Sequence, residues 1–100
     1  MDKEFREFCD LALEKWGEDS QLRMCIEEMS ELMKEICKYQ RIIRTEGIDP
    51  NKLEDVKKNI VEETADVLNC VEQVAYMFGE DEVNKIRKEK VDRCKSKYLK

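Results

Sequence analysis

The chain contains no histidine, and that absence argues against several chemistries at once. Zinc sites and the Glu-x-x-His ligands of di-iron bundles draw on imidazole, and a serine or cysteine nucleophile is ordinarily activated by one. Glycine occurs only three times and proline once, so the chain has few places to turn. No stretch alternates apolar and polar residues as a half-buried strand does. No apolar run is long enough to span a bilayer, and none reads as a signal peptide. Low-complexity tracts, linkers and further repeats that would mark a second domain are also missing. Cysteine is present but unpatterned: Cys9, Cys25, Cys37, Cys70 and Cys94 form no Cys-x-x-Cys and fall mostly on apolar faces. That is the usage of reduced, packed thiols in a cytoplasmic protein. A formal net charge of -5, without a broad basic stripe, speaks against duplex nucleic acid as the main partner.

What is there is helix-forming sequence. One hundred residues make one small domain, 1–100, and the pattern predicts an all-α fold of four helices with two long antiparallel helices at its centre. The first runs from about Asp2 to Lys15, buries Phe5, Phe8, Cys9, Ala12 and Trp16, and stops near Gly17, with Asp19 or Ser20 capping the second. On the second, the apolar seam is Leu22, Cys25, Met29, Leu32, Ile36, Tyr39 and Ile43, widened by Ile26, Met33 and Cys37. Gly47-Ile48-Asp49-Pro50-Asn51 breaks the chain, because proline cannot continue a helix. The third carries the seam Leu53, Val56, Ile60, Thr64, Val67, Val71, Val74 and Phe78 and ends at Gly79. The fourth, from about Glu80 to Leu99, has only the sparse stripe Val83, Ile86, Val91, Cys94 and Tyr98.

Two acidic repeats interrupt this apolar pattern: Glu28-Met-Ser-Glu31 and Glu63-Thr-Ala-Asp66, each opening on a doubled glutamate. Residues three apart are neighbours on a helix, so each repeat offers two carboxylates along one edge, as hard divalent cations require. Spacing alone is weak, since aspartate and glutamate supply 24 of 100 residues and the same pattern at Glu4 to Glu7 and Glu89 to Asp92 reads as solvated surface. Position is what separates them. At about 100° per residue, Glu28 lies roughly 60° from its seam and Glu63 roughly 50°, with Glu31 and Asp66 farther round on the same side. A seam-to-seam hairpin brings all four carboxylates together. Like charges in a partly dry site repel strongly unless neutralised, and oxygen-only ligation favours magnesium, manganese or calcium.

Gln21-x-x-x-x-x-Glu27-Glu28-x-x-Glu31-Leu32, followed by Glu62-Glu63-x-x-Asp66-Val67, resembles the small phage-type and bacterial MazG-like nucleotide pyrophosphohydrolases. The likeness includes Trp16-Gly17, Leu68-Asn69 and a closing basic helix with Lys90-x-x-Arg93, and so covers nearly the whole chain. The interval between Glu31 and Glu63 runs toward the long side of the family's pattern. The resemblance implies an all-α fold assembled as a homodimer or homotetramer, with active sites near the subunit interface. It implies magnesium-dependent cleavage of nucleoside triphosphates, often deoxy forms, to monophosphate and pyrophosphate, with Glu28, Glu31, Glu63 and Asp66 as metal ligands and catalytic acids. Manganese is a possible substitute for the magnesium.

Around the acids, the basic candidates for the phosphates are Lys38, seven positions beyond Glu31, with Arg41, and Lys90, Arg93 and Lys97 on the last helix. Asn69 and Gln73 continue the edge beyond Asp66 and suit a phosphate, a ribose hydroxyl or a base, with a solvent-facing amide as the equal alternative. Trp16 reads as core or as a base-stacking platform, and Gln21 as a base contact or a first-turn polar residue. Two other readings of the chain stay open. One is a noncatalytic helical module that associates through Met24, Met29, Met33 and Met77; the other is a nucleotide-binding sensor.

Overall fold

The computed structural model describes residues 2–99, all of whose regular structure is helical. The helices are α1 (Lys3–Trp16), α2 (Glu18–Ile43), α3 (Pro50–Phe78) and α4 (Glu80–Tyr98). Each boundary has a local cause. Asp2 caps α1 by accepting from Phe5 N at 2.8 Å, and Asp49 caps α3 by accepting from Asn51 N at 2.9 Å, with Pro50 in the first turn where its missing N–H costs nothing. Gly17 (φ 84°) and Gly79 (φ 135°) form the two sharp elbows, a backbone region that side chains with a Cβ rarely enter. Gly17 itself precedes the first turn of α2, so Asp19 and Ser20 lie inside that helix and do not cap it.

The dominant packing is α2 against α3, an antiparallel hairpin. Its register is fixed by two side-chain contacts. Gln21 meets Gln73 and Glu35 meets Asn59, so a step of fourteen residues up α2 matches fourteen down α3, and Glu28, midway, comes opposite Asp66. α1 lies across the open end of the hairpin, where Tyr76 Oη donates to Asp10 Oδ1 at 2.7 Å. Arg6 joins α1 to the first residue of α4 by an ion pair with Glu80 at 3.2 Å. Apart from that ion pair α4 packs against α3, and it buries none of its residues.

The seams differ from those read off the sequence. On α2 the residues turned toward α3 are Gln21, Cys25, Glu28, Leu32, Glu35 and Tyr39, while Met29, Ile36 and Ile43 are exposed. At about 100° per residue, the helix is rotated by roughly 50° toward its acidic edge. α3 turns the same way, taking Glu63, Cys70 and Gln73 inward and leaving Val71 and Phe78 outside. Phe8 and Trp16, expected in the core, are also exposed, and only Cys9 and Ala12 of α1 are buried. The physical reason is supply: an interior of Cys9, Ala12, Cys25, Val56 and Cys70 has no room for the large side chains, which remain as a second apolar face.

Candidate metal centre

Within the α2–α3 seam, polar residues recur every seven positions on both helices: Gln21, Glu28 and Glu35 on α2, and Asn59, Asp66 and Gln73 on α3. Seven residues are close to two helical turns, so like residues stand above one another at intervals of about 10.5 Å. The antiparallel register pairs them as three rungs, with Glu28 and Asp66 in the middle.

At the middle rung a carboxylate oxygen from each of Glu28, Glu63 and Asp66 lies within 4.8 Å of the others, a spacing that one cation can bridge. Glu28 and Glu63 are half-buried and Asp66 is exposed, so the group opens to solvent on one side. Burial first, then the charges of Asp66 and Glu63, raises the proton affinity of Glu28 above the ordinary carboxylate range. Glu63 is raised by burial, then by Asp66, Glu31 and Glu35. Its Oε2 is buried and accepts no hydrogen bond. A buried carboxylate oxygen without a donor is costly, and a bound cation supplies what is missing. The donor set, all carboxylate oxygen, is of the kind that hard divalent cations take, magnesium, manganese and calcium alike.

Glu31 is exposed and stands outside the 4.8 Å group, though its charge acts on both Glu28 and Glu63. The matching pairs Glu4 and Glu7, and Glu89 and Asp92, are solvent-exposed.

The structure separates the other candidates. Lys38 is half-buried on the same lane, its Nζ donating to Glu35 at 3.3 Å. Gln21 is buried, accepting from Gln73 Nε2 at 3.1 Å, so its amide serves the helix contact. Asn69 is exposed on the outer side of α3. Trp16 is 53% exposed at the α1–α2 elbow, with Lys15 Nζ 5.4 Å from the ring centroid. Lys90 and Arg93 line a groove of about 370 Å³ on α4 together with Cys94, Lys97 and Tyr98, and neither bonds to any of the four acids.

Glu35 is not singled out by the apolar pattern, because it lies beside the seam that runs through Leu32, Ile36 and Tyr39. The signal that finds it is the seven-residue recurrence from Gln21 through Glu28, matched on α3. Comparison with family models, with curated proteins and with solved structures finds no match to the chain.

Proposed function

We propose that the chain is a magnesium-dependent, MazG-like nucleoside triphosphate pyrophosphohydrolase. The observation that carries this reading is the convergence of Glu28, Glu63 and Asp66 within 4.8 Å, with Oε2 of Glu63 buried and unpartnered. Glu31, one turn from Glu28 on the exposed rim, completes the four-acid set. Bound magnesium, or manganese in its place, neutralises triphosphate charge and lowers the pKa of water. The acids hold and orient that charge, and the half-burial of Glu28 and Glu63 limits bulk water on one side. In the reaction a water oxygen bonds to the α-phosphorus, the bond from that phosphorus to the bridging oxygen of the β-phosphate breaks, monophosphate and pyrophosphate leave, and the proton lost by the water passes to solvent. Among the described residues no helix is long and apolar enough to cross a membrane. The free cysteines suit a reducing, cytoplasmic setting.

The same reading includes self-association. A folded monomer of 12.0 kDa exposes about 6,000 Å². This chain exposes 8119 Å², and its radius of gyration is 17.3 Å against about 13 Å for a compact domain of this length. The surplus of about 2,100 Å² exceeds the roughly 800 Å² per partner of a standard interface. Ile26, Met29, Met33 and Ile36 form its apolar stripe on α2. In such a homodimer or homotetramer, basic residues of a second copy, Lys90 and Arg93 among them, are candidates to complete the phosphate site.

The test is incubation with magnesium and a panel of nucleoside triphosphates, with products separated and Glu63→Gln as control. Expected are monophosphate and pyrophosphate, abolished by EDTA. Turnover by Glu63→Gln falls by more than about a hundredfold, the upper end for disturbing a metal's supporting shell. Nucleotide binding without turnover supports the sensor instead. Absence of both magnesium binding and turnover leaves the association module, which the exposed Met24, Met29 and Met33 favour.

A further inference from the structure

Glu35 is one of three buried polar residues among those described, 8% exposed, on the face of α2 that packs against α3. Its Oε1 accepts from Lys38 Nζ at 3.3 Å and its Oε2 from Asn59 Nδ2 at 3.5 Å. Half-buried Leu32, Tyr39 and Ile60 lie nearby in the seam. A leucine at position 35 would join α2 to α3 at least as well, because a buried ion pair seldom outdoes well-packed apolar atoms. Stability alone therefore does not account for the carboxylate.

Its placement does. Glu35 stands one turn beyond Glu31 on α2, and its partner Asn59 stands one turn before Glu63 on α3, so the pair borders the acid group on the side of the hairpin turn. Helical side chains lean toward the N-terminus of their helix, which carries Lys38 back over Glu35 in the direction of Glu31. The ion pair from Lys38 to Glu35 has that direction. The ammonium has three donors, one of them engaged by Glu35, and its side chain is 39% exposed. It is thus a tethered cation on the rim of an all-carboxylate site.

We infer that Glu35 is a positioning residue, which holds Lys38 to receive the β- and γ-phosphates and then the departing pyrophosphate. This rests on the hydrolase reading and adds a polarity to it. The pyrophosphate lies toward Lys38, and the nucleoside points the opposite way along the seam, toward exposed Trp16. Lys38 forms and breaks no covalent bond; it offsets negative charge on the oxygen that leaves the α-phosphorus.

The test is calorimetric binding of inorganic pyrophosphate and, separately, of a nucleoside monophosphate, both with magnesium. Wild type is compared with Lys38→Met, Lys38→Arg and Glu35→Gln, alongside thermal melts and steady-state hydrolysis. Lys38→Met is expected to weaken pyrophosphate about tenfold, the loss of one charged hydrogen bond, while monophosphate affinity stays unchanged. Lys38→Arg restores part of the loss. Glu35→Gln keeps the Asn59 contact, lowers kcat and shifts the same pyrophosphate-to-monophosphate ratio, which a purely structural role would not move. Trp16, the one tryptophan, changes fluorescence with monophosphate and not with pyrophosphate. Equal weakening of both ligands, wild-type pyrophosphate affinity in Lys38→Met, or no pyrophosphate binding by wild type overturns the assignment. If triphosphate is hydrolysed while Lys38→Met is silent, this inference fails and the hydrolase reading stands. If pyrophosphate binding depends on Lys38 but no triphosphate is cleaved, the hydrolase reading fails and only the phosphate-binding role of Lys38 stands.

Discussion

Gln73 Nε2 donates to Gln21 Oε1 across 3.1 Å inside the α2–α3 seam, while the Nε2 of Gln21 is itself buried without an acceptor. The contact aligns the two helices, and its half-satisfied state makes it sensitive to change. Gln73→Leu strands both ends of the Gln21 amide and is expected to lower stability by about 1–3 kcal/mol, the cost of a buried polar group losing its partner. The double variant Gln21→Leu with Gln73→Leu recovers most of that loss. Urea midpoints of the two single variants and the double variant check it, and strictly additive losses would disprove the coupling.

The acid group gives the metal-free protein an unusual pH profile. Glu28 and Glu63 have folded proton affinities raised above their unfolded values, chiefly by burial. The folded state therefore binds more protons, and their contribution is fully present below the unfolded value and lost as pH rises through the raised one. Above the ordinary glutamate pKa of about 4.3, melting temperature is expected to fall with rising pH in EDTA as these two carboxyls ionise. Magnesium, which stabilises the ionised form, flattens or reverses that slope, and Glu63→Gln reduces it. Glu80 works the opposite way: its hydrogen bond from Arg6 lowers its proton affinity, so that contribution is lost as pH falls through its folded value. Melts across pH, with and without magnesium, separate the two.

The apolar stripe on α2 provides a test of association. Ile26 and Met33 are 63% and 66% exposed and contribute little to the fold of one chain. Ile26→Glu with Met33→Glu is expected to shift the mass in solution toward the monomer without loss of helicity. Light scattering and circular dichroism measure the two quantities. A monomeric wild type refutes the association reading, and an oligomer whose mass does not change places the interface elsewhere, on α1 or α3, where Leu11, Val61 and Leu68 are also exposed.

The four helices were legible because their causes are local. Asp49-Pro50, the elbows at Gly17 and Gly79 and the 3.6-residue periodicity all act within a few residues, and the structure places the helices where they direct. Trp16 and Phe8 were misjudged for a different reason. Periodicity shows that a side chain is apolar and shares a face with others, but not whether one chain has enough partners to cover it. With a core of small residues, this chain does not.

The acids lie between these cases. Sequence by itself determined that Glu28 and Glu63 sit at the edge of an apolar face, because helical geometry fixes angular position from residue number alone. Only the tertiary structure decided that both helices rotate toward that edge, taking the carboxylates and Glu35 into the seam and leaving Met29, Met33 and Ile36 outside. Rotation about a helix axis is set by which side chains the facing helix can accommodate and pair. Gln21 with Gln73 and Glu35 with Asn59 are such pairs, each joining residues distant in sequence, and no local rule reaches across that distance.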